Sequence, residues 1–367
     1  MTDKPIYLSG LNGLRAIAAM SVVIAHTSVK DVANFGLPLH LNIPMAGFGV
    51  TLFFVISGFL ITFLLLQEKK KHDDIDIKKF YVRRILRIWP IYYLFIFICI
   101  CVFLFIDKSH EIIQKELWFY VFFAANVPFI FQQGILILVH YWSIGVEEQF
   151  YLFWPWIVRF SKDKLLKIAV LIFSGLFFIK LICWWLMGND SLAYRFLTVT
   201  RFHCMMIGAV GAILYFKKHT LFLKMFSNKI VQLIAWSVFF ILGLGIFHIP
   251  AVVVQELIAI CSLSMIIGQV SIESRIINLE NKVCDFIGKI SYGIYVIHPL
   301  IILLLSRLYK NIEITQSLKY ILVYVSVIIL TLLVAWLSYS YFEQPFLKLK
   351  NKFAVVKSSN SMLTKIV

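Results

Sequence analysis

Long apolar stretches, separated by short basic segments, run along most of the chain. A helix that crosses the hydrocarbon core of a bilayer needs about 20 mainly apolar residues. By this criterion we predict ten spans, at 11–29, 47–66, 85–106, 139–159, 165–187, 197–216, 230–247, 250–269, 285–306 and 319–341. The pattern therefore predicts an all-α fold, a polytopic helical bundle integral to the membrane. A further apolar stretch, 111–131, is either another span or a helix that lies in the membrane interface.

The composition excludes a soluble globular protein. Of the 367 residues, 61% are hydrophobic and only 15% are charged, whereas soluble domains are about 45–50% apolar and about 25% charged. A single soluble core of this length could not bury so much apolar surface. The six cysteines form no CxxC pair and lie in or beside apolar runs, so we expect small hydrophobic residues inside helices and no metal site.

The distribution of charge predicts the orientation in the membrane. Lysine and arginine number 35 against 19 acidic residues, which gives a net charge of +16. Such an excess in a soluble protein would indicate a nucleic-acid partner. With ten spans and 111–131 in the interface, the basic clusters all fall on one side, which the positive-inside rule makes cytoplasmic. We therefore predict cytoplasmic termini, a transmembrane domain over 1–347, a basic cytoplasmic tail over 348–367, and no nucleic-acid partner.

Two ionisable residues interrupt the first predicted span. Arg15 and His26 are eleven residues apart, so they lie within about 20° of one helical face and about 16 Å apart along the axis. They also make a cleaved signal peptide a poor interpretation, and we expect this helix to be retained. Ionisable groups inside spans usually mark function. The alternatives are that Arg15 extends to the cytoplasmic interface and that His26 forms a hydrogen bond between helices.

Arginines are concentrated at the start of the third predicted span. The segment 67–87 contains eight basic residues, more than orientation alone requires. Arg84 and Arg87 are three residues apart and share one side of the helix, and Arg83 flanks them. Guanidinium groups bind phosphate oxygens in a bidentate manner. The segment is therefore a candidate site for an anionic ligand, or else a topological anchor.

Residues in three other spans add candidate chemistry. Glu147 and Glu148 point about 100° apart, so at most one faces the same pocket as His26. A carboxylate beside an imidazole fixes its tautomer and raises its basicity; the alternative is a structural ion pair or a protonated acid. Ser57 and Gly58 permit close helix contact, Trp142 fits an interfacial aromatic belt, and His298 precedes Pro299, which we expect to kink its helix.

Six short motifs follow one another along the chain. They are R-x10-H at Arg15…His26, FFxxSGFL at 53–60, RxxR at Arg84…Arg87, WSLxxEEQFY at 142–151, SYxIYxxH at 291–298 and YxExP at 341–345. In this order they make the chain resemble the membrane-bound acyltransferase family 3, which includes O-antigen and exopolysaccharide O-acetyltransferases. The chain is similar to the stand-alone transmembrane form. It departs from many members at His203, where they carry an acidic residue.

The resemblance implies an acyltransferase of the bacterial cytoplasmic (inner) membrane. Its donor would be a cytoplasmic acyl-CoA, most commonly acetyl-CoA, and its acceptor a hydroxyl of a cell-surface glycan or lipid-linked sugar. Donor binding would then fall to Arg83, Arg84 and Arg87. The candidates for catalysis are His26, Arg15 and Glu147, with His26 as general base or as the carrier of a transient acyl group.

The candidates for substrate contact are Trp142, Glu148, Ser57 and His298. A transporter or flippase of an anionic lipid-linked sugar is the alternative class, since it would use the same basic segment and the same intramembrane charges.

Overall fold

The computed structural model describes residues 7–28, 35, 43–106 and 110–355, and every regular element in these ranges is helical. The helices are α1 (Leu11–Thr27), α2 (Met45–His72), α3 (Ile77–Ile106), α4 (His110–Val121), α5 (Asn126–Ile130), α6 (Tyr141–Phe160), α7 (Leu165–Met187), α8 (Leu192–Thr200), α9 (Phe202–Phe216), α10 (Thr220–Phe226), α11 (Lys229–Gly243), α12 (Ala251–Val270), α13 (Lys282–Lys289), α14 (Ser291–Tyr309), α15 (Gln316–Leu337) and α16 (Gln344–Lys352). A π-helical turn, Ser338–Glu343, joins α15 to α16.

Seven helical segments of the described chain are long and apolar enough to cross a membrane. They comprise α2, α3, α7, α8 with α9, α12, α14, and α15 with its continuation to Lys352. The pair α10 and α11, bent by 56°, makes an eighth if it counts as one span. The shorter α1 and the more polar α6 cover the two remaining predicted spans. A multi-pass helical membrane protein is thus confirmed, while ten crossings and cytoplasmic termini stay predictions.

Two of the predicted spans contain a break between two helices. The span predicted at 197–216 breaks at Arg201, whose φ of 46° lies in the left-handed region and separates α8 from α9. The span predicted at 285–306 includes the junction at Ile290 between α13 and α14. Hydropathy records apolar length only, so neither break was visible in the sequence pattern.

The ambiguous stretch 111–131 forms two short helices, α4 and α5. Helix α4 has 12 residues, so it is about 18 Å long, whereas the hydrocarbon core is about 30 Å thick. The hydroxyls of Tyr92 and Tyr93 on α3 donate to the carbonyls of Tyr120 and Val121 at its end. Phe123, with φ 55°, then turns the chain. The stretch therefore contains no single membrane-length helix, which favours the interfacial interpretation.

Helices α2 and α9 approach closely through two glycines. A Cβ added to Gly58 would lie 2.1 Å from the Met205 carbonyl oxygen, and one added to Gly208 would lie 2.2 Å from the Val55 carbonyl oxygen. Small residues at matching positions let helix backbones touch within a membrane. The close helix contact expected at Gly58 is confirmed.

Helix α16 packs against α3 at the end of the bundle where α1 begins. Arg83 on α3 donates from Nη1 to the carbonyl oxygen of Phe353, just beyond α16, over 3.0 Å. Of the predicted basic tail, residues 356–367 lie outside the described part of the chain. The described part of that tail contributes Lys350 to a cavity at this end of the bundle.

Candidate functional site

Two adjoining cavities lie between the helices. The larger, the vestibule, has a volume of about 420 Å³ and is walled by the starts of α1 and α3, the loop before α13, and α16. The smaller, the inner cavity, has a volume of about 80 Å³ and extends between α2, α6 and α14. Four residues line both: Arg15, Leu60, Arg84 and Arg87. Three arginines therefore stand at the junction of the two spaces.

The three arginines at the junction leave most of their guanidinium hydrogen-bond donors without a partner among the described residues. Within the described ranges, none of Arg15, Arg84 and Arg87 forms an ion pair. The Nε atom of Arg84 is buried without a hydrogen-bond partner, and its guanidinium lies over the Tyr151 ring at 5.2 Å. Arg15 donates only a long bond of 3.5 Å to the Asn12 side chain. Guanidinium groups with open donor positions are suited to the oxygens of a phosphate.

The carboxylates of the vestibule are each neutralised by a cation. The ion pairs are Glu68 with Arg83 at 3.1 Å, Glu280 with Arg275 at 3.3 Å, and Asp285 with Lys289 at 2.6 Å. The vestibule is also lined by Lys282 and Lys350, which form no ion pair among the described residues. The cavity therefore carries an excess of positive charge, as an anionic ligand requires.

Arg83 differs from the two arginines with which the sequence groups it. Its Nη2 pairs with Glu68, whose side chain is only 3% exposed, and its Nη1 binds the Phe353 carbonyl. An ion pair with a buried carboxylate fixes a side chain in place. Arg83 lines the vestibule, but its main contacts hold α16 and the end of α2 to α3.

The inner cavity contains a carboxylate held by two hydroxyls. Glu147 accepts hydrogen bonds from Ser57 on α2 and from Tyr151, one turn along α6. Further along the same cavity, the hydroxyls of Ser143 and Tyr295 are 2.6 Å apart. The cavity is thus polar on one wall and joins directly to the junction arginines.

Glu148 points away from the inner cavity. Its Oε2 accepts a bond of 3.4 Å from the Trp89 indole, while its Oε1 is buried without a hydrogen-bond partner among the described groups. Glu147 lines the inner cavity and Glu148 is absent from its lining. This arrangement is what the 100° offset between neighbouring helical residues predicts.

The imidazole of His26 contacts the imidazole of His298. Its Nδ1 lies 2.9 Å from Nε2 of His298 on α14, and the two rings are stacked with centroids 5.1 Å apart. The contacts of Glu147 are instead to Ser57 and Tyr151, so the expected carboxylate–imidazole pair is replaced by a pair of imidazoles. Arg15, on the same helix, lines the inner cavity together with Tyr292 of α14.

Trp142 is buried inside the protein, which corrects its interpretation as part of an aromatic belt. Its side chain is 8% exposed. Phe129 stacks on its ring at 5.1 Å, and the Arg201 guanidinium lies over the ring at 5.2 Å. The contacts of Trp142 hold α5, α6 and the break between α8 and α9 together.

The cavity residues that the sequence analysis did not single out include Tyr151, Tyr295 and Lys350. Tyr151 is four residues after Glu147 and so on the same helical face, a spacing that could have revealed it. Tyr295 lies within a quoted motif but reads as one more apolar position. Lys350 was interpreted as part of a topological tail, and only the packing of α16 on α3 brings it to the vestibule.

A separate charged cluster is buried among α7, α9 and α12. The Lys180 ammonium lies 2.8 and 3.1 Å from the two carboxylate oxygens of Glu256, and its side chain is 0% exposed. Nε2 of His203 is 3.2 Å from the same carboxylate. An acidic group thus reaches His203 from another helix. Within the described ranges, no group of three or more His, Cys, Asp or Glu side chains is placed to hold a metal ion.

The structure is that of a multi-pass membrane protein. Its membrane-length helices surround a basic vestibule, and hydroxyl, carboxylate and imidazole groups that could take part in a reaction are buried beyond it. The chain belongs to the membrane acyltransferase family whose model is described as "Acyltransferase domain" and matches residues 8–340. The resemblance drawn from the six motifs is confirmed.

Curated relatives carry related names. The chain is 30% identical to O-acetyltransferase OatA of Staphylococcus aureus strain MRSA252 over 398 residues, covering 99% of this chain and 61% of that protein. It is 31% identical to a putative O-acetyltransferase of S. aureus strain COL over 375 residues, covering 94% of this chain and 58% of that protein. The chain thus spans about three-fifths of the length of these relatives. No solved structure matches it.

Proposed function

We propose that the protein is an O-acetyltransferase of the bacterial cytoplasmic membrane. It takes the acetyl group of acetyl-CoA, which enters the vestibule from the cytoplasm, and transfers it to a hydroxyl of a cell-surface glycan or lipid-linked sugar on the outer side. The observation that carries this proposal is the vestibule itself, with cations that no carboxylate neutralises and a direct junction to a buried polar cavity. The names of the relatives support O-acetylation.

The donor fits the two cavities in size and charge. Coenzyme A carries its phosphates at one end and its thiol at the other, joined by a long, flexible arm. A volume of about 420 Å³ falls within the range of about 300–1,000 Å³ typical of cofactor pockets, so the vestibule suits the phosphate-bearing end. Arg84, Arg87 and Lys350 line it there. The inner cavity, about 80 Å³ in volume, suits only the narrow thioester end.

His26 is the proposed general base. It takes the proton of the acceptor hydroxyl while the hydroxyl oxygen attacks the thioester carbonyl carbon. Arg15 lies between this histidine and the vestibule along α1, where its positive charge faces a donor that passes the junction. Glu147, held by Ser57 and Tyr151, provides a fixed negative wall to the inner cavity. Trp142 and Glu148 act by supporting the walls of these spaces.

The test is acetyl transfer from radiolabelled acetyl-CoA in inverted membrane vesicles that contain the protein and lipid-linked glycan. The wild-type protein transfers label to glycan, and His26→Ala abolishes transfer while the amount of protein in the membrane is unchanged. Ile24→Ala, a change two residues away on the same helix, serves as the matched control and retains transfer.

The outcomes separate the possible functions. Retained transfer by His26→Ala contradicts the assignment of the base. Movement of lipid-linked sugar across the vesicle membrane without any transfer of label would instead identify a flippase. Transfer with purified donors of longer acyl chains, but not with acetyl-CoA, would contradict the acetyl group as the natural cargo.

A further inference from the structure

The helix α14 contains a carbonyl that cannot receive its usual hydrogen bond. In an α-helix the N–H of residue i donates to the carbonyl of residue i−4. Residue 299 is proline and has no N–H, so the carbonyl of Tyr295 lacks this donor. His298 supplies one, because its Nδ1 lies 2.8 Å from the Tyr295 oxygen and 3.2 Å from the Ile294 oxygen. A carbonyl oxygen only accepts, so Nδ1 of His298 carries the hydrogen.

The position of this hydrogen determines the tautomer of the next ring. A neutral imidazole has one donor nitrogen and one acceptor nitrogen, so Nε2 of His298 is the acceptor. That atom lies 2.9 Å from Nδ1 of His26, which must therefore carry a hydrogen and donate it. The lone pair of His26 is then on Nε2. His26 is partly exposed while His298 is fully buried, so the acceptor nitrogen belongs to the more accessible of the two rings.

We propose that His298 is a positioning residue that fixes His26 in the tautomer needed for general-base catalysis, and that Pro299 imposes this arrangement. The inference rests on the proposed function, in which His26 is the base. His298 therefore takes the role that the sequence suggested for Glu147. It acts through His26, with its own polar atoms directed to that ring and to the backbone of α14.

The proton transfers balance through this pair. The acceptor hydroxyl gives its proton to Nε2 of His26, its oxygen bonds to the thioester carbon, and the carbon–sulfur bond breaks. The leaving thiolate then takes the proton from Nε2, which restores the neutral ring. While His26 is an imidazolium, its Nδ1–H donates to the lone pair of His298, a charge-assisted bond stronger than the neutral one.

A third imidazole fixes the plane of the His298 ring. His140 lies edge-on to it, with centroids 5.3 Å apart. Its Nε2 is 3.1 Å from the Val296 carbonyl oxygen, to which it donates. His298 is therefore held by its own helix on one side and by His140, the residue before α6, on another, and this orients the lone pair that His26 meets.

Two substitutions at one position separate the two bonds of His298. In His298→Asn the amide nitrogen takes the place of Nδ1 and keeps the bond to the Tyr295 carbonyl, but the side chain is too short to reach His26. In His298→Gln the amide oxygen reaches the place of Nε2 and accepts from His26. The measurements are kcat and the donor KM for acetyl transfer by the purified full chain, together with its melting temperature in detergent.

We expect His298→Asn to lower kcat by about 10- to 100-fold, the loss typical when the group that orients a functional imidazole is removed, with an unchanged donor KM. His298→Gln recovers kcat to within a few-fold of the wild-type value. Wild-type kcat in His298→Asn overturns the proposal, as does an equal loss in both variants. If both variants melt early, a higher kcat for Gln than for Asn at equal melting temperature still supports it. Activity in His26→Ala would instead overturn the proposed function.

Discussion

Replacing Glu256 by leucine tests how the buried charges of α7 and α12 hold the bundle together. The Lys180 ammonium has two carboxylate oxygens of Glu256 within 3.1 Å and one amide oxygen, from Gln255, at 3.3 Å. The rest of α7 presents large apolar side chains to the surroundings, among them Ile179 and Trp185. Glu256→Leu therefore leaves an ammonium fully buried with a single weak partner.

The expected decrease in stability follows from the loss of the carboxylate partner of Lys180. Removing one partner of a buried ion pair costs about 3–5 kcal/mol, because an uncompensated charge remains in a medium of low polarity. At about 2 °C per kcal/mol for a long chain, the melting temperature falls by about 5–10 °C. Lys180→Met combined with Glu256→Leu removes both charges, and replacement of a buried pair by apolar side chains is often neutral. The double variant should therefore melt close to the wild type.

The assay uses thiols already in the protein. Cys204 on α9 and Cys261 on α12 are buried, so reaction of these thiols with a fluorescent dye reports unfolding of the detergent-solubilised protein. Glu256→Gln is the matched control, since its amide oxygen still accepts from Lys180 and the fall should be smaller. Equal melting temperatures for the single leucine variant and the double variant would refute the reasoning, because the penalty would then not come from the unpaired charge.

Three further predictions concern the donor site and the helix contacts. Arg87→Gln should raise the KM for acetyl-CoA by about tenfold, because the loss of one charge-assisted hydrogen bond has roughly this effect. The melting temperature should change little, and an unchanged donor KM would show that Arg87 does not bind the donor. Arg83→Gln should show the opposite pattern, a lower melting temperature with a nearly constant donor KM, and a dominant KM effect would contradict its structural role. Gly58→Leu should prevent folding, because its Cβ would lie 2.1 Å from the Met205 carbonyl oxygen, and the folded peak in fluorescence-detected size-exclusion chromatography should disappear. Gly175→Leu should be tolerated, because nothing lies within 4 Å of a Cβ added there. Equal behaviour of the two variants would disprove the close contact at Gly58.

The sequence predicted where most helices lie, because the hydrophobic length needed to cross a bilayer is a property of composition alone. It did not predict the break at Arg201, since a left-handed residue inside an apolar run is set by tertiary contacts. Arg201 donates to the Gly47 carbonyl and to the Thr51 hydroxyl on α2. Those partners are about 150 positions away in the chain, and no local pattern records them.

The sequence predicted which residues belong to the candidate site better than it predicted which of them contact one another. Arg15, Arg84 and Arg87 were singled out as unexplained charges, and the structure brings them to one junction. The partner of His26 could not be inferred, because helical spacing relates residues of one helix and says nothing about which neighbour faces them. The same reason explains Lys180 and Glu256, which the sequence shows as isolated charges and only the packing of α7 on α12 joins.

The junction of the two cavities has a consequence for the membrane as an electrical insulator. A protein that admits a water-soluble donor deep into the bilayer opens a polar path through part of the barrier that maintains the proton gradient. Here Arg15, Arg84 and Arg87 line both cavities at the point where the two spaces meet. Three guanidinium groups at this junction create a positive potential that repels protons and metal cations, as fixed positive charges do in channels that exclude protons. We therefore expect the arginines that suit an anionic donor also to limit the leakage of ions through the protein.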